Sequence, residues 1–375
     1  MFVLLLLTRT VSAEPSLKLE RIESRLSGFS QDGHGYQSQA GLPTGAERDR
    51  NAPSGQGSER LTVFQPQLRA VFSQGTRLEY SLWLPVDFVT SASPDAVDVT
   101  TGASRHERAN TVDLATTYKA NDHDTLGVRG GFHLEEHLRS WNIGQSYARS
   151  FAMNNATAAA SANVVLDAFE RRKTDGGLNG RASRATANAN VSFTQVVSPD
   201  TVVYVDYGIT RQQGELATNW NVVPFRFGGY VSEIAPRDRL RHSVVVRGAQ
   251  WLPWRGALKG YYRFYRDDWG VLAHTAELQL AQRFSSLFWM HGDVRYHHQT
   301  GVGFFTTSAR DLSSVRTADS DLARFSAVTV GGTIVVDVPW HPFGAMRFEA
   351  GYARYSRSND LTMHLATIGT DIVFD

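Results

Sequence analysis

The stretch Leu361-Thr362-Met363-His364-Leu365-Ala366-Thr367-Ile368-Gly369-Thr370-Asp371-Ile372-Val373-Phe374 decides how the rest of the chain is read. Ile372, Thr370, Ile368 and Ala366 fall on one side, and Asp371, Gly369 and Thr367 on the other, with a period of two. One face suits lipid and the other suits water. A half-buried strand of an ordinary sheet would show the same alternation, so the choice between a membrane strand and a soluble one lies in the remaining sequence.

At 375 residues the chain is long enough for one large or two medium domains, and 42% hydrophobic with 20% charged residues is the composition of a folded protein. A formal net charge of +1 gives no overall basic field for nucleic acid and no acidic field for a cationic partner. The absence of cysteine fits an oxidising compartment such as the periplasm or outer membrane, where a free thiol is a liability. Phe2 to Leu7 form a short apolar run, and Val11-Ser12-Ala13 before Glu14-Pro15 makes a small-x-small cleavage pattern. The expectation is a signal peptide over 1–13 and one barrel domain over 14–375, although the charged n-region of a signal is missing. Beyond that segment no run approaches the roughly 18 apolar residues of a spanning helix. In a membrane such a chain must form a closed barrel, because lipid leaves unpaired backbone groups unsatisfied.

From Leu17 onward the sequence reads as sixteen strand segments of about 10 to 17 residues, with fourteen as the alternative count because the first, Leu17 to Phe29, is weak. The hairpins turn at Gln74-Gly75, Ala120-Asn121-Asp122-His123, Asn154-Asn155, Ser198-Pro199-Asp200, Pro253-Trp254-Arg255, Ser285-Ser286 and the segment Pro339 to Gly344. These short connections follow even-numbered strands. The long ones, Ser30 to Arg60, Ser91 to His106, Ala217 to Arg239 and Gln299 to Leu322, follow odd-numbered strands. Long loops at one end and short turns at the other define the topology of an outer-membrane barrel, with both termini on the short-turn, periplasmic side. Phe72, Phe151, Trp251, Trp254, Phe284, Phe288, Trp340, Phe343 and Phe374 gather beside the short turns, where an interfacial girdle is expected.

Facing follows the same logic. Val203, Val205, Tyr207 and Ile209 alternate with Tyr204, Asp206, Gly208 and Thr210, and Phe288, Met290, Val294 and Tyr296 with Trp289, His291, Asp293, Arg295 and His297. The polar face carries charge, so the residues expected to line a lumen are Lys259, Arg263, Asp267, Glu277, Arg283, Asp293, Arg295, Arg347 and Glu349. The connection Ala217 to Arg239 holds more apolar bulk than a solvated loop needs. It is expected either to fold into the mouth as a constriction, through Trp220, Phe225, Arg226, Phe227 and Glu233, or to form a lip; the inward fold would set Arg226 and Glu233 against Arg263 and Asp267.

Two resemblances sharpen this. The spacing Thr367, Gly369, Ile372, Phe374 resembles the terminal assembly signal of bacterial outer-membrane barrels, overrun here by Asp375. Arg237-Asp238-Arg239, Tyr261-Tyr262-Arg263-Phe264-Tyr265, Asp267-Asp268-Trp269-Gly270, His274 to Leu278 and Arg295-Tyr296-His297-His298-Gln299, all within Gly228 to Phe305, resemble domain of unknown function 3570, a family of bacterial outer-membrane barrels. Val89 to Asp95 and Arg108 to Asp113 look similar to the same family. The resemblance implies a barrel and brings no activity with it.

Three groupings could carry chemistry. His291, Asp293, His297 and His298 are metal-ligand types, yet three of them spread along one face of one strand without a further convergent ligand, and lumen polarity explains them. Asp267, Asp268 and His274 beside a tight turn could make an acid-base or calcium site, or could cap the turn. No serine lies in a nucleophile motif. The expectation is therefore no enzyme, no metal and no cofactor. A pore with a charged lumen is the leading reading, because a barrel of sixteen strands can enclose an aqueous channel. A non-conducting structural or docking barrel that anchors a periplasmic or surface partner is the alternative. The expected surroundings are outer-membrane lipid and the barrel assembly machinery, with no nucleic acid.

Overall fold

A computed structural model describes residues 16–33, 61–91, 107–173, 177–217, 222–340 and 344–374. The 1–13 segment, Trp220 and Phe343 lie outside the described residues. The strands in chain order are β1 (Leu17–Gly33), β2 (Leu61–Gln74), β3 (Leu78–Ser91), β4 (Glu107–Lys119), β5 (Asp124–Leu134), β6 (Leu138–Phe151), β7 (Ala156–Arg172), β8 (Leu178–Ser198) and β9 (Thr201–Gly214), then a small hairpin of β10 (Val222–Pro224) and β11 (Tyr230–Ser232), then β12 (Asp238–Leu252), β13 (Gly256–Asp267), β14 (Leu272–Arg283), β15 (Phe288–Gln299), β16 (Phe325–Trp340), β17 (Gly344–Arg357) and β18 (Leu361–Phe374). All but β10 and β11 join one closed antiparallel barrel of sixteen strands. The first strand, weak in sequence, runs to Gly33 and pairs with β18 from Arg21↔Val373 to Gly33↔Leu361, so the fourteen-strand count falls away. Closure leaves no sheet edge and satisfies the backbone between strands.

The outer face shows why this sequence needs lipid. Ile143 and Ile368 stand 65% and 62% exposed, and Leu68, Leu114, Val128, Leu166, Val191, Leu278, Val294 and Val330 join them in one apolar band. Moving each such side chain out of water is worth about 1.5–3 kcal/mol, so the band is stable only against an apolar solvent. Aromatics flank it at both ends. At the short-turn end the rings of Phe151 and Phe193 lie 6.0 Å apart and those of Phe284 and Phe288 5.6 Å apart. At the long-loop end Phe132 and Trp141 lie 5.5 Å apart and Phe64 and Phe88 6.4 Å apart. Of the aromatics expected beside the short turns, Phe151, Phe284 and Phe288 stand in the first group, whereas the second group was not expected. Trp251, also expected in the first group, pairs with Ala257 in register with Arg247↔Tyr261 and so belongs to the inner-face set.

The turns follow their local chemistry. At Gln74-Gly75, Gly75 takes φ +61°, which glycine enters without steric cost. The β5–β6 connection is tighter than expected, because the Glu135 N–H donates to Leu138 O at 2.8 Å and closes the turn directly after Leu134. At the long-loop end, 222–237 and 300–324 pack on each other. Phe225 bridges to Ala309 and Ile234 to Arg316, while Val223, Ala309 and Ala318 form a small core with Phe225, Tyr230 and Val231. Arg316 ties the second loop to the first, its guanidinium donating to the carbonyl oxygens of Ser232, Asp311, Leu312 and Ser314. The Asp311 carboxyl is held well below the usual carboxylate range by hydrogen bonds from the Ser314 hydroxyl and amide and the Ser313 amide.

Candidate functional site

Cross-strand register sets the inner wall. Arg247↔Tyr261, Tyr261↔Glu277 and Glu277↔Arg295 run across β12 to β15 as one row. Lys259, Arg263 and Asp267 share its face on β13, as do Arg283 on β14 and Asp293 on β15. Arg347 and Glu349 lie on the same side of β17, opposite Asp337 and Val335. All nine residues expected to line a lumen are thus on the inner face.

Most of these charges are paired along the wall. Arg295 and Glu277 meet at 2.5 Å, and Asp337 takes both Arg283 at 2.9 Å and Arg347 at 2.7 Å. The Arg247 guanidinium lies between the rings of Tyr204 and Tyr261, at 5.2 and 5.5 Å from their centroids. Asp267 is the most enclosed, with a side chain 0% exposed beside Arg239 at 10%. It accepts from Arg239 Nε at 2.9 Å, Tyr265 Oη at 2.8 Å and Val271 N at 2.8 Å. A buried carboxylate with this many donors is satisfied, and here it fixes the turn between β13 and β14.

A cavity of about 560 Å³ opens on the other side of the lumen, lined by Glu23, Arg25, Gln67, Arg69, Trp83, Asp113, Arg129, Glu349, Asp371 and their neighbours, all of them strand residues. Of this group the sequence marks Glu349 as a lumen residue and Asp371 as part of the polar face of the last strand. The signal for the rest was present, because Arg69, Asp113 and Arg129 alternate with Leu68, Val112 or Leu114, and Val128. Next to it a space of about 440 Å³ is bounded by Ser146, Ser161, Asn163, Asn188, Asn190 and Thr210 with Gly127 and Gly144, a mostly neutral stretch of wall whose one charged member is Arg129, donating to Asn163 Oδ1 at 3.3 Å. Gly131 matters here, because a Cβ at that position would lie 2.6 Å from Asp113 Oδ2, where Asn142 Nδ2 now donates at 3.2 Å.

Other expectations change. Asp267, Asp268 and His274 do not converge. Asp267 faces inward, Asp268 Oδ1 accepts the Leu240 N–H at 3.0 Å, and His274 is on the outer face with its Nδ1 hydrogen-bonded to Tyr262 Oη at 2.7 Å. Likewise His291 and His297 are inner-face residues, whereas His298 shares the outer face with His274. The apolar bulk of the Ala217 to Arg239 loop goes into the second loop. The Phe225 backbone pairs with Ala309, Arg226 stacks on Phe227 at 4.8 Å, and Glu233 is buried, while Asp267 takes Arg239 as its ion partner. The segment that reaches the inner wall belongs to 300–324. There Gln299 Nε2 donates to Asp321 O and Ala323 O, Arg357 pairs with Asp321 at 2.6 Å, and Asp321 and Leu322 line a space with Arg239, Arg263 and His297. In β18, Gly369 pairs with Glu349 and Arg25, Ile372 with Met346 and Ile22, and Phe374 with Gly344.

A closed antiparallel barrel of sixteen strands, apolar outside and charged inside, with short turns at one end and long loops at the other, is a β-barrel of the bacterial outer-membrane type. The chain belongs to the family described as protein of unknown function, domain of unknown function 3570, whose sequence profile matches residues 142–369. The upstream stretches Val89 to Asp95 and Arg108 to Asp113 fall outside that match. No curated protein matches the sequence. Among solved structures the chain is similar to a bacterial polysaccharide outer membrane secretin, with 8% identity, a TM-score of 0.47, and 94% of this chain and 98% of that chain covered. It is similar to the TodX monoaromatic hydrocarbon channel in a deltaS2 mutant form, with 10% identity, a TM-score of 0.43 and coverage of 96% and 91%. It is also similar to the outer membrane protein OpdK of Pseudomonas aeruginosa, with 9% identity, a TM-score of 0.41 and coverage of 94% and 98%. The barrel assignment rests on this chain's own closed register.

Proposed function

We propose that the protein is a water-filled pore of the bacterial outer membrane, delivered by the signal peptide over 1–13 and inserted by the barrel assembly machinery, with Gly369, Ile372 and Phe374 as the signal read there. The observation that carries the pore reading is the cavity of about 560 Å³ beside Arg25, Arg69, Arg129, Glu23, Asp113 and Asp371, walled by strand residues alone. Charges and amides facing such a space favour water and polar solutes, and a barrel of this strand number is wide enough to hold both. Opposite signs interleave along the wall, so permeation of small ions of both signs is expected, with weak selectivity. No catalytic step and no cofactor enter this reading.

Conductance of the purified protein in planar bilayers tests it. Discrete steps that scale with salt concentration are expected. A heat-modifiable, folded barrel that inserts and leaves the bilayer silent would remove the pore and favour the docking barrel.

A further inference from the structure

We propose that the outer wall of β12 to β18, at the long-loop end, binds a phosphate-bearing anionic lipid, with the groove between β9 and β13 as its best-formed site. It rests on the outer-membrane reading only in placing that end in a leaflet.

Charge is sorted across this half of the barrel. Within β12 to β18 the carboxylates Asp267, Glu277, Asp293, Asp337, Glu349 and Asp371 all face inward. Asp238 and, just past the end of β13, Asp268 are outward; Asp238 is engaged by Arg211 at 2.9 Å and Asp268 accepts the Leu240 N–H at 3.0 Å. The outer face of the same strands carries His242, Arg266, His274, His298, Arg354 and His364, every one in the half nearer the long loops. The short-turn half of that face has no basic side chain among the described residues. A lipid-facing surface that is cationic toward one leaflet and apolar toward the other is complementary to an anionic headgroup on that one side.

The groove supplies both halves of a lipid site. It encloses about 430 Å³ and is lined by Tyr207, Leu240, His242, Val244, Phe264 and Arg266, with Ser243, Asp267 and Asp268 at its rim. His242 stands directly opposite Arg266, and one step deeper into the apolar band Val244 stands opposite Phe264. Direct cross-strand partners have Cβ atoms about 4.5–5.5 Å apart, so one phosphate can reach both the Arg266 guanidinium and the His242 ring N–H while its acyl chain follows Val244 and Phe264. The Tyr207 phenol meets His242 Nδ1 at 2.8 Å; with the phenol donating, Nε2 keeps its hydrogen for a phosphate oxygen. The Asp268 carboxylate at the rim is held by the Leu240 N–H and does not fill the place of a counter-ion for Arg266.

The arrangement recurs. Tyr262 meets His274 at 2.7 Å and Tyr352 meets His364 at 2.6 Å, each on the same diagonal across a strand pair, and Arg354 stands directly opposite His364 as Arg266 does opposite His242. Arg–His partners fixed by a tyrosine at one level are the repeated element of a collar, each able to engage one headgroup.

Native mass spectrometry of the detergent-solubilised barrel tests this with phosphatidic acid, phosphatidylcholine and free inorganic phosphate as probes. Wild type should retain phosphatidic acid at least tenfold over phosphatidylcholine. The Arg266→Gln/His242→Gln variant should lose about tenfold of that retention, whereas Gln282→Ala, on the outer face at the short-turn end, should lose none. Millimolar inorganic phosphate should not displace the lipid; displacement would make this a free-phosphate site and overturn the lipid assignment. Equal retention of the two lipids, or no loss in the double variant, would also overturn it, with the heat-modifiable band showing that each variant is folded. Retention is scored without a bilayer, so a barrel that conducts but binds no phosphatidic acid fails here alone, and a silent barrel that binds it fails only the pore reading.

Discussion

The inner wall has two arcs that solve the same problem differently. Across β6 to β9 it is mostly amide, hydroxyl and glycine, with neutral cross-strand bonds such as Thr210 Oγ1 donating to Asn188 Oδ1 at 2.8 Å and Gln212 Nε2 to Thr186 Oγ1 at 3.2 Å, and with Asp206 and the Arg184–Asp167 pair, at 2.7 Å, as its charges. Across β12 to β18 it is charged, and most charges are bound to a partner on a neighbouring strand or in a loop. A neutral polar group facing water loses little if a neighbour is removed, because water replaces the bond. A charge withdrawn from water does not have that freedom. The neutral arc therefore tolerates change singly, whereas the charged arc is coupled, most strongly where Asp267 is sealed beneath the long loops.

Asp267→Ala should break the charged arc with the largest effect. It strands Arg239 and opens the β13–β14 turn held through Val271 N, so a loss of about 3–5 kcal/mol is expected. Asn190→Ala on the neutral arc should cost less than about 1 kcal/mol. Urea unfolding in lipid vesicles measures both, and equal losses would erase the distinction between the arcs.

Charge placed on the neutral arc should come next, read in transport. Asn188→Asp with Asn190→Asp adds two carboxylates whose direct partners on β7 and β9, Asn163, Ser161, Thr210 and Gly208, are uncharged, the nearest cation of the row being Arg241 beyond Thr210. At roughly 8 Å through water each charge acts on a passing ion by about 0.5 kcal/mol, so before screening the pair should favour cations about fivefold and disfavour anions about fivefold, a shift of roughly 30-fold in the cation-to-anion permeability ratio. Reversal potentials across a salt gradient measure the shift. An unchanged ratio in a folded, conducting variant would show that the neutral arc does not face the ion path.

The two arcs were unequally legible in the sequence. Period-two alternation and loop length were enough for the strand number, the facing and the nine charged positions, because each depends on residues close in the chain. Asn188, Asn190, Ser192 and Thr194 alternate with Ala189, Val191 and Phe193 and so mark an inner face, but uncharged amides and hydroxyls do not single out a wall in its own right. The long-loop segment Ala217 to Arg239 stayed open between a constriction and a lip for another reason. The apolar bulk of Val222, Val223, Phe225 and Tyr230 shows that the segment needs a partner but not which one, and its partners Ala309 and Ala318 lie far along the chain. Arg316 gave no local sign that it would bind carbonyl groups of both loops.

The smallest effect is expected at the short-turn mouth, where the charged arc is most exposed to water. Asp337 holds Arg283 and Arg347 together, with the aspartate side chain 23% exposed and the two arginines 44% and 42%. Solvent screens such pairs, so Asp337→Asn should cost at most about 1 kcal/mol of stability. Its charge effect should be easier to see. Two guanidiniums lose their shared anion and the mouth should turn toward anions, about twofold at 10 mM salt, where the Debye length is about 30 Å, and not measurably at 1 M, where it is about 3 Å. Adding Arg347→Gln should return the ratio toward wild type if Asp337 acts by neutralising that residue, and the cycle of single and double variants isolates the coupling. A shift that persists at 1 M salt would instead mean that the substitution changes the width of the mouth, and the short-turn end would then belong with the tightly packed long-loop end.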